Sequence, residues 1–158
     1  MVQQQAAQQQ AQRAAQAQQA ARAAACKKAT ATTSNFSVGF GYTLKYFILE
    51  DLEQAKPWLL KFTKACEKPS YVNFKGYSVV FEAIAEHDVD KANQGFEEIN
   101  KGHIKDCKGR GYRWFKDTEL EDLNTWGVGM ANLCRYYGLD TQIDHTLIPA
   151  ELLIEVRK

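Results

Sequence analysis

Apolar side chains in residues 77–103 recur at helical spacing on both sides of a short polar break. In the second half they stand three, four and three positions apart, within about 80° of arc on a helical wheel. This stripe consists of Val89, Ala92, Phe96 and Ile99. Asp88 directly precedes it and is a typical N-cap residue. Because only residues 86–88 separate the stripe from the apolar run 79–84, we predict two helices that fold back as an αα-hairpin.

The same pattern occurs once earlier in the chain, at an offset of 37 residues. Asp51 and Asp88 occupy equivalent positions, and an Ala follows each of them four residues later. The apolar residues that correspond at this offset are Phe47 and Ile84, Leu59 and Phe96, and Phe62 and Ile99. A repeat of this length, with a small residue where helices approach, is typical of stacked helical hairpins. We therefore predict two pseudo-repeated hairpins.

Breaks and capping signals divide the remaining chain. Residues 30–41 are rich in Thr, Ser, Asn and Gly, which predicts a linker. Pro57 is interpreted as part of the first turn of the second helix, where its missing N–H is tolerated. Thr118 and Glu121 have capping-box spacing, so the last long helix is expected to begin there and to end at Gly138. Its inner face would comprise Leu120, Leu123, Trp126, Gly127, Met130, Leu133 and Cys134.

These elements predict an all-α fold. It is a helical bundle of five or six helices, with two hairpins and a C-terminal helix, because no sustained period-2 alternation is present. The expected domains are residues 1–33, a Gln/Ala-rich extension, and residues 40–158, the helical body. One core is expected to unite Phe81, Ile84, Phe96, Ile99, Trp126 and Met130.

The Gln/Ala-rich head, residues 1–26, contains no large apolar side chain after Val2. One interpretation is a low-complexity extension, helical or disordered, because such a helix has little to bury. The other is a long helix whose alanine stripe packs on the body. That stripe would comprise Ala14, Ala17, Ala21, Ala24 and Ala25.

Charge is unevenly distributed along the chain, although the net charge is only +1. Residues 1–33 hold four basic residues and no acid, which leaves 16 basic and 19 acidic residues in the remainder. A mildly acidic body argues against nucleic acid as the principal ligand and suits a basic protein partner.

The four cysteines and the absence of long apolar runs bear on the compartment. No cysteine pair has the C-x-x-C spacing of a zinc knuckle, so we expect buried thiols in a reducing compartment. The N-terminus lacks the apolar region of a signal peptide, and no apolar run approaches membrane-spanning length. The expected localisation is cytoplasmic, without membrane association.

Residues capable of catalysis or metal binding are few. His103 and Cys107 have i, i+4 spacing, but a metal site needs further ligands. The favoured interpretation is a core histidine that donates to a backbone carbonyl. Residues 108–116 are basic and aromatic and contain two glycines, which predicts a loop. Its aromatic residues could stack on the bases of a nucleic acid, but the preferred interpretation is that they anchor the loop to the core. No catalytic or nucleotide-binding motif is present, so neither enzymatic activity nor a cofactor or metal is expected.

The C-terminal part of the chain resembles a known family. Residues 122–139, with the sequence DLNTWGVGMANLCRYYGL, lead to residues 147–153, LIPAELL. This order resembles the C-terminal signature of immunity protein family forty-nine, from bacterial polymorphic-toxin systems. That family also carries a small–Asp–x–x–x–Ala hairpin and a helix ending in His, which correspond here to Asp88, Ala92 and His103. His87 stands where the family has a small residue, and the Gln/Ala head departs from the pattern.

The resemblance covers about residues 42–153 and implies a cytoplasmic antitoxin that binds one cognate toxin domain and blocks it by occlusion. All-helical immunity proteins that neutralise nuclease toxins are a second similar group. The alternative is a helical-repeat adaptor that docks a partner peptide or protein.

A toxin that acts on nucleic acid would present a basic cleft, and its inhibitor would present acids. Acids are densest on the second predicted hairpin. The expected partner-binding residues are Glu82, Glu86, Asp90, Glu97 and Glu98. Asp88 is assigned to capping instead.

Overall fold

Five α-helices supply the regular structure of residues 35–109 and 115–157, the part of the chain that this computed structural model describes. They are α1 Asn35–Ile48, α2 Leu52–Cys66, α3 Lys75–Glu86, α4 Val89–Lys108 and α5 Thr125–Tyr136. Short 3-10 helices occur at Val72–Phe74 and Ala150–Leu152. Within these residues the β-structure is limited to an isolated bridge between His145 and Ile148. The predicted all-α helical bundle is confirmed. The Gln/Ala head and residues 110–114 of the predicted loop lie outside the described residues.

The two hairpins, α1–α2 and α3–α4, begin their second helices with the same cap. The Asp51 side chain accepts a hydrogen bond from the Gln54 amide at 3.1 Å, and the Asp88 side chain accepts one from the Lys91 amide at 2.9 Å. Each bond satisfies an amide that has no partner within its own helix. The predicted cap at Asp88 is therefore confirmed, and Asp51 repeats it.

The residue before each cap also repeats. Glu50 and His87 both have φ of 56°, in the left-handed region. In both hairpins the amide of the capping aspartate then donates to the carbonyl five residues earlier, at 2.9 Å. This bond reverses the chain within three residues, so each pair of helices packs antiparallel.

The helices of each hairpin cross at a glycine. A Cβ added to Gly39 would lie 2.9 Å from the Phe62 amide nitrogen, and one added to Gly76 would lie 2.5 Å from the Ile99 amide nitrogen. Gly39 and Gly76 are 37 residues apart, and so are their partners Phe62 and Ile99. The pseudo-repeat predicted from the sequence is thus present in the turns and in the crossings.

One hydrophobic core joins both hairpins to α5. Five of the six residues predicted for it are buried in this core, and the sixth, Trp126, is partly buried and packs against it. Aromatic rings link the elements, since Phe81 contacts Phe47 at 4.9 Å and Phe62 at 6.3 Å between ring centroids. Phe115 is also buried in the core, which agrees with the preferred interpretation of the 108–116 loop as anchored there.

The linker predicted for residues 30–41 is wrong from Asn35 onward, because α1 begins there. Phe36, Gly39 and Thr43 form the buried face of this helix, and the Thr43 hydroxyl donates to the Gly39 carbonyl at 2.7 Å. Gly and Thr are weak helix formers, but both are buried here, and Gly39 sits where α2 packs closely. Tertiary contact overrides the local signal.

Pro57 is not in the first turn of its helix either. It is the sixth residue of α2 and lies inside the helix. With no N–H, it leaves the carbonyl four residues earlier without its usual helical donor. Pro57 is exposed, so water can reach that part of the helix surface.

The capping box predicted at Thr118 closes a turn and does not begin a helix. The Thr118 hydroxyl accepts from the Leu120 amide, and the Glu121 side chain accepts from the Asp117 amide, at 3.2 and 3.1 Å. The helix starts at Thr125, and its N-cap is Asn124. Asn124 is fully buried, and its backbone N–H donates to the Leu147 carbonyl at 2.9 Å. This tertiary bond holds the chain in a non-helical conformation before α5.

After α5 the chain turns at Gly138, whose φ of 79° confirms the predicted helix stop. It then runs in extended form across the second hairpin, where Leu139, Leu147 and Ile148 are buried. The final described residues return along α5, held by the Asn132 side chain. That side chain donates to the Leu152 carbonyl at 3.1 Å and accepts from the Ile154 amide at 2.9 Å.

Candidate functional site

An open apolar groove of about 580 Å³ lies between α1 and α5. Its lining contains no charged side chain. The lining residues are Phe40, Leu44, Ile48, Thr125, Trp126, Gly129, Met130, Asn132, Leu133 and Tyr136. Sites for apolar partners are concave and predominantly hydrophobic with few polar groups, so this groove is the candidate functional site.

The groove lies between two contacts that join α1 to α5 and its C-cap. Six residues into α1, the Phe40 ring stacks on Trp126 near the start of α5, with centroids 5.1 Å apart. Near their ends the Tyr137 hydroxyl donates to the Phe47 carbonyl at 2.6 Å. The two contacts follow in the same order along α1 and α5, so the two helices run in the same direction. The apolar side chains between these contacts form the walls.

Helical spacing places the wall residues on one side of α1. Phe40, Leu44 and Ile48 follow at four-residue intervals and span about 12 Å of helix. Ile48, at the end of this row, is 60% exposed. Apolar surface that stays exposed along a groove is typical of an interaction site.

Gly129 gives the α5 wall a stretch of bare backbone. A Cβ at this position would meet no atom within 4 Å, so packing in the described structure does not require a glycine. Glycine inside a helix costs about 1 kcal/mol relative to alanine. Gly41 has similar open space but does not line the groove. Exposed helical glycine alone does not mark the site, but at Gly129 it lets another backbone approach closely.

A polar cluster stands beside the end of the groove. The Tyr136 hydroxyl donates to the Glu50 carboxylate, and the Arg157 guanidinium donates to the same oxygen at 2.8 Å. The hydrogen bond from Tyr136, then that from Arg157, lowers the pKa of Glu50. This cluster ties the C-terminal segment to the first hairpin and fixes the Tyr136 ring at the rim.

The five acids predicted to bind a partner do not form one unpaired surface. Lys91 Nζ lies 3.2 Å from the Glu82 carboxylate and 3.0 Å from the Glu86 carboxylate. Burial lowers the pKa of Lys91, but the hydrogen bonds to Glu86 and Glu82 and their charges outweigh it and raise that pKa. Two of the five acids therefore share one lysine.

The other three acids lie on α4 and are exposed. Glu97 pairs with Lys101 at 3.0 Å. Asp90 and Glu98 make no ion pair with any described residue. Asp90 and Glu97 share one side of the helix, whereas Glu98 lies about 100° further round. The unpaired carboxylates of Asp90 and Glu98 are the part of the predicted set most available to a partner.

His103 is a core residue, as the sequence predicted. It is buried, its Nε2 donates to the Glu121 carbonyl at 3.0 Å, and its ring stacks on Phe115 at 4.6 Å. Cys107, one turn further along α4, is half-buried and unpaired by disulfide. Among the described residues, no group of three or more His, Cys, Asp or Glu side chains is placed to hold a metal ion.

All three described thiols are free, and two of them are buried. Cys66 and Cys134 are buried, and burial raises the pKa of each to about 12. A raised pKa keeps the thiol protonated and unreactive. Neither residue is equipped to act as a nucleophile.

Comparison with known proteins assigns no class. No family model matches the chain, and neither the curated proteins nor the solved structures include a significant match. In residues 35–109 and 115–157, no helix has the length and apolar character needed to cross a membrane.

Proposed function

We propose that this protein is a non-catalytic binding domain that holds a helix of another protein in the α1–α5 groove. The observation that carries the proposal is the groove itself, an uncharged apolar trough between two parallel helices. Amphipathic helices dock in such grooves through apolar residues on one face. Gly129 admits the backbone of the docked helix on one wall, while Leu44 and Ile48 contact its side chains on the other.

The partner we propose is a toxin domain, which would make the protein an immunity protein that acts by occlusion. Support for this finer proposal is the sequence order of α5 and the C-terminal segment, together with the exposed Asp90 and Glu98. A basic toxin surface would approach these carboxylates by electrostatic attraction. The adaptor alternative uses the same groove for a peptide that is not a toxin.

Two matched pairs of variants test the groove. Ile48→Asp places a charge in the lining, and Leu60→Asp places one on α2 at a site that is 71% exposed and outside the lining. Gly129→Ala fills the bare backbone, and Gly41→Ala makes the same change outside the lining. We expect both alanine variants to gain about 0.5–1 kcal/mol of stability, whereas only Gly129→Ala and Ile48→Asp should weaken binding, by about tenfold or more.

Binding should be measured first against the C-terminal domain of a secreted toxin encoded beside this gene. The protein should rescue the growth of cells that express the toxin domain, and Ile48→Asp but not Leu60→Asp should abolish this rescue. That result would support both the groove as a binding site and the toxin as its partner. Glu97→Lys with Glu98→Lys should slow association and reduce its salt dependence. The control is Glu119→Lys with Glu155→Lys, which reverses two exposed acids elsewhere.

The adaptor alternative is tested by selection from a library of helical peptides. Selected peptides should carry apolar residues at i, i+4 and i+7 and should bind Leu60→Asp but not Ile48→Asp. Failure with the toxin domain and success with such peptides would leave the groove in place and remove the toxin. Peptides that bind both aspartate variants equally would refute the groove.

A further inference from the structure

A row of stacked aromatic rings covers the outer face of the α1–α2 hairpin. The Tyr42 ring stacks on Trp58 with centroids 4.4 Å apart and planes 18° apart, and Tyr46 follows at 6.4 Å from Tyr42. All three residues are half-buried. On α1, Tyr42 and Tyr46 lie about 160° from Leu44 around the helix. This face is therefore separate from the groove.

Lysine side chains lie on these rings. Lys61 Nζ is 4.1 Å from the Trp58 ring centroid, and Lys45 Nζ is 5.6 Å from Tyr42 and 5.1 Å from Tyr46. A cation held over an aromatic face is favourable and loses some of its freedom. The rings therefore position ammonium groups at the surface.

Two more lysines extend the row toward the start of α1. Lys61, Lys64 and Lys68 line a small recess of about 200 Å³ together with Asn35 and Ala65. These three lysines and Lys45 make no ion pair with a described residue. We call this set, Lys45, Lys61, Lys64 and Lys68 with Tyr42, Tyr46 and Trp58, the basic face.

We propose that the basic face binds a carboxylate-rich segment of a protein. Four cations without acidic partners among the described residues make this face complementary to an anionic ligand, and their spread over the α1–α2 hairpin suits an extended one. The recess and the ring row extend from Trp58 to Lys68, and the part within α2, residues 58–66, covers about 12 Å of helix. A single small anion would engage only part of this length.

The packing of Trp58 distinguishes an acidic peptide from nucleic acid. Tyr42 and the Lys61 ammonium both lie against this ring at stacking distance, and two groups this close cannot share one face. Both faces of Trp58 are therefore covered, so a base could stack on it only by displacing the Lys61 ammonium. Proteins that bind single strands depend on aromatic faces open to bases. The rings here support the lysines instead, which favours carboxylates as the ligand.

The test uses the full chain and a fluorescein-labelled peptide of ten glutamates as the probe, in about 50 mM NaCl, where exposed charges are weakly screened. Fluorescence anisotropy measures binding to wild type and to the triple variant Lys61→Gln, Lys64→Gln, Lys68→Gln. The matched control is Lys101→Gln, Lys105→Gln, Lys108→Gln on α4, which removes the same charge. We expect the first triple variant to bind about tenfold more weakly and the control to stay within about twofold of wild type.

Two further measurements separate the parts of the proposal. Trp58→Leu keeps every charge but removes the ring, and should weaken binding about threefold. A ten-nucleotide deoxythymidine strand should bind more weakly than the peptide. The proposal is overturned if the peptide does not bind or if both triple variants weaken its binding equally. It is also overturned if the oligonucleotide binds more tightly than the peptide and loses this affinity in the triple variant of Lys61, Lys64 and Lys68.

Discussion

Asp51 and Asp88 show how one side chain defines a helix junction. Both residues are exposed, and each accepts one amide hydrogen bond at the start of its helix. Capping bonds of this kind typically contribute about 1 kcal/mol. Because the two caps occur in equivalent turns, their contributions can be compared directly within one molecule.

We expect Asp51→Ala and Asp88→Ala each to lower the free energy of unfolding by about 1 kcal/mol. Asp90 provides the control, since it lies in the first turn of α4 but does not form the cap. Asp90→Ala should cost less than half as much, because it removes only an interaction with the helix dipole. Urea denaturation of the three variants measures these differences. Equal losses at Asp88 and Asp90 would contradict the capping role.

At the scale of elements, glycine determines how closely the helices of a hairpin approach. Gly76 packs against the backbone of α4, where an added Cβ would lie 2.5 Å from the Ile99 amide and 2.7 Å from the Gly95 carbonyl. These neighbours are backbone atoms, so no side chain can rotate away. Gly39 makes the equivalent contact with α2.

Gly76→Ala should therefore destabilise the protein by about 2–4 kcal/mol, because the two helices must separate. Gly41→Ala is the matched control in a helix, with open space around the new methyl group. It should be neutral or stabilising by up to about 1 kcal/mol. Thermal and urea denaturation of both variants test this contrast. An unaffected Gly76→Ala variant would show that the α3–α4 crossing is looser than described.

The elements that the sequence predicted well are those whose signals are local. The apolar stripe of α4 and the cap at Asp88 depend on residues within one or two turns, and both were found where expected. The start of α1 and the Thr118 turn were missed because distant contacts decide them. Gly39 becomes helical by packing on α2, and Asn124 leaves the helical conformation through its bond to Leu147.

The candidate site was harder to predict from sequence than the fold. Trp126, Met130 and Leu133 were correctly placed on the inner side of α5, but the wheel cannot show that these residues also line a groove beside α1. Ile48 and Gly129 carry only a weak signal in the sequence, as an apolar residue and a glycine within helical patterns. The acids of the second hairpin were visible in the sequence, whereas their pairing with Lys91 depends on how α3 and α4 dock.

At the scale of the whole molecule, the core holds several ionisable groups in their neutral form. Burial raises the pKa of Cys66 and Cys134 to about 12, against an ordinary value of 9.0. Burial also raises the pKa of Tyr77, although its hydrogen bond to Asn124 acts in the opposite direction. All three shifts act in the same direction, because each lowers the free energy of unfolding as the pH rises in the alkaline range.

We expect the free energy of unfolding to fall as the pH rises above about 9. The unfolded thiols ionise there while the folded ones stay protonated, so the unfolded state binds fewer protons and is favoured. Each thiol contributes at most about 1.4 kcal/mol per pH unit. Urea denaturation under reducing conditions at pH 7, 9 and 10.5 measures the slope, and Cys66→Ala with Cys134→Ala should reduce it. A stability independent of pH over this range would contradict the assignment.

The repeated hairpin also has a consequence for the folding pathway. Since α2 and α4 carry equivalent caps and crossing contacts, α1 has two possible antiparallel partners in the unfolded chain. Pairing with α2 closes a loop of about three residues, whereas pairing with α4 closes one of about forty, and this difference favours the first by about 2 kcal/mol. Contacts close in sequence also form faster. The brevity of the turn at Glu50, more than any difference between the two copies, is what keeps each helix with its own neighbour.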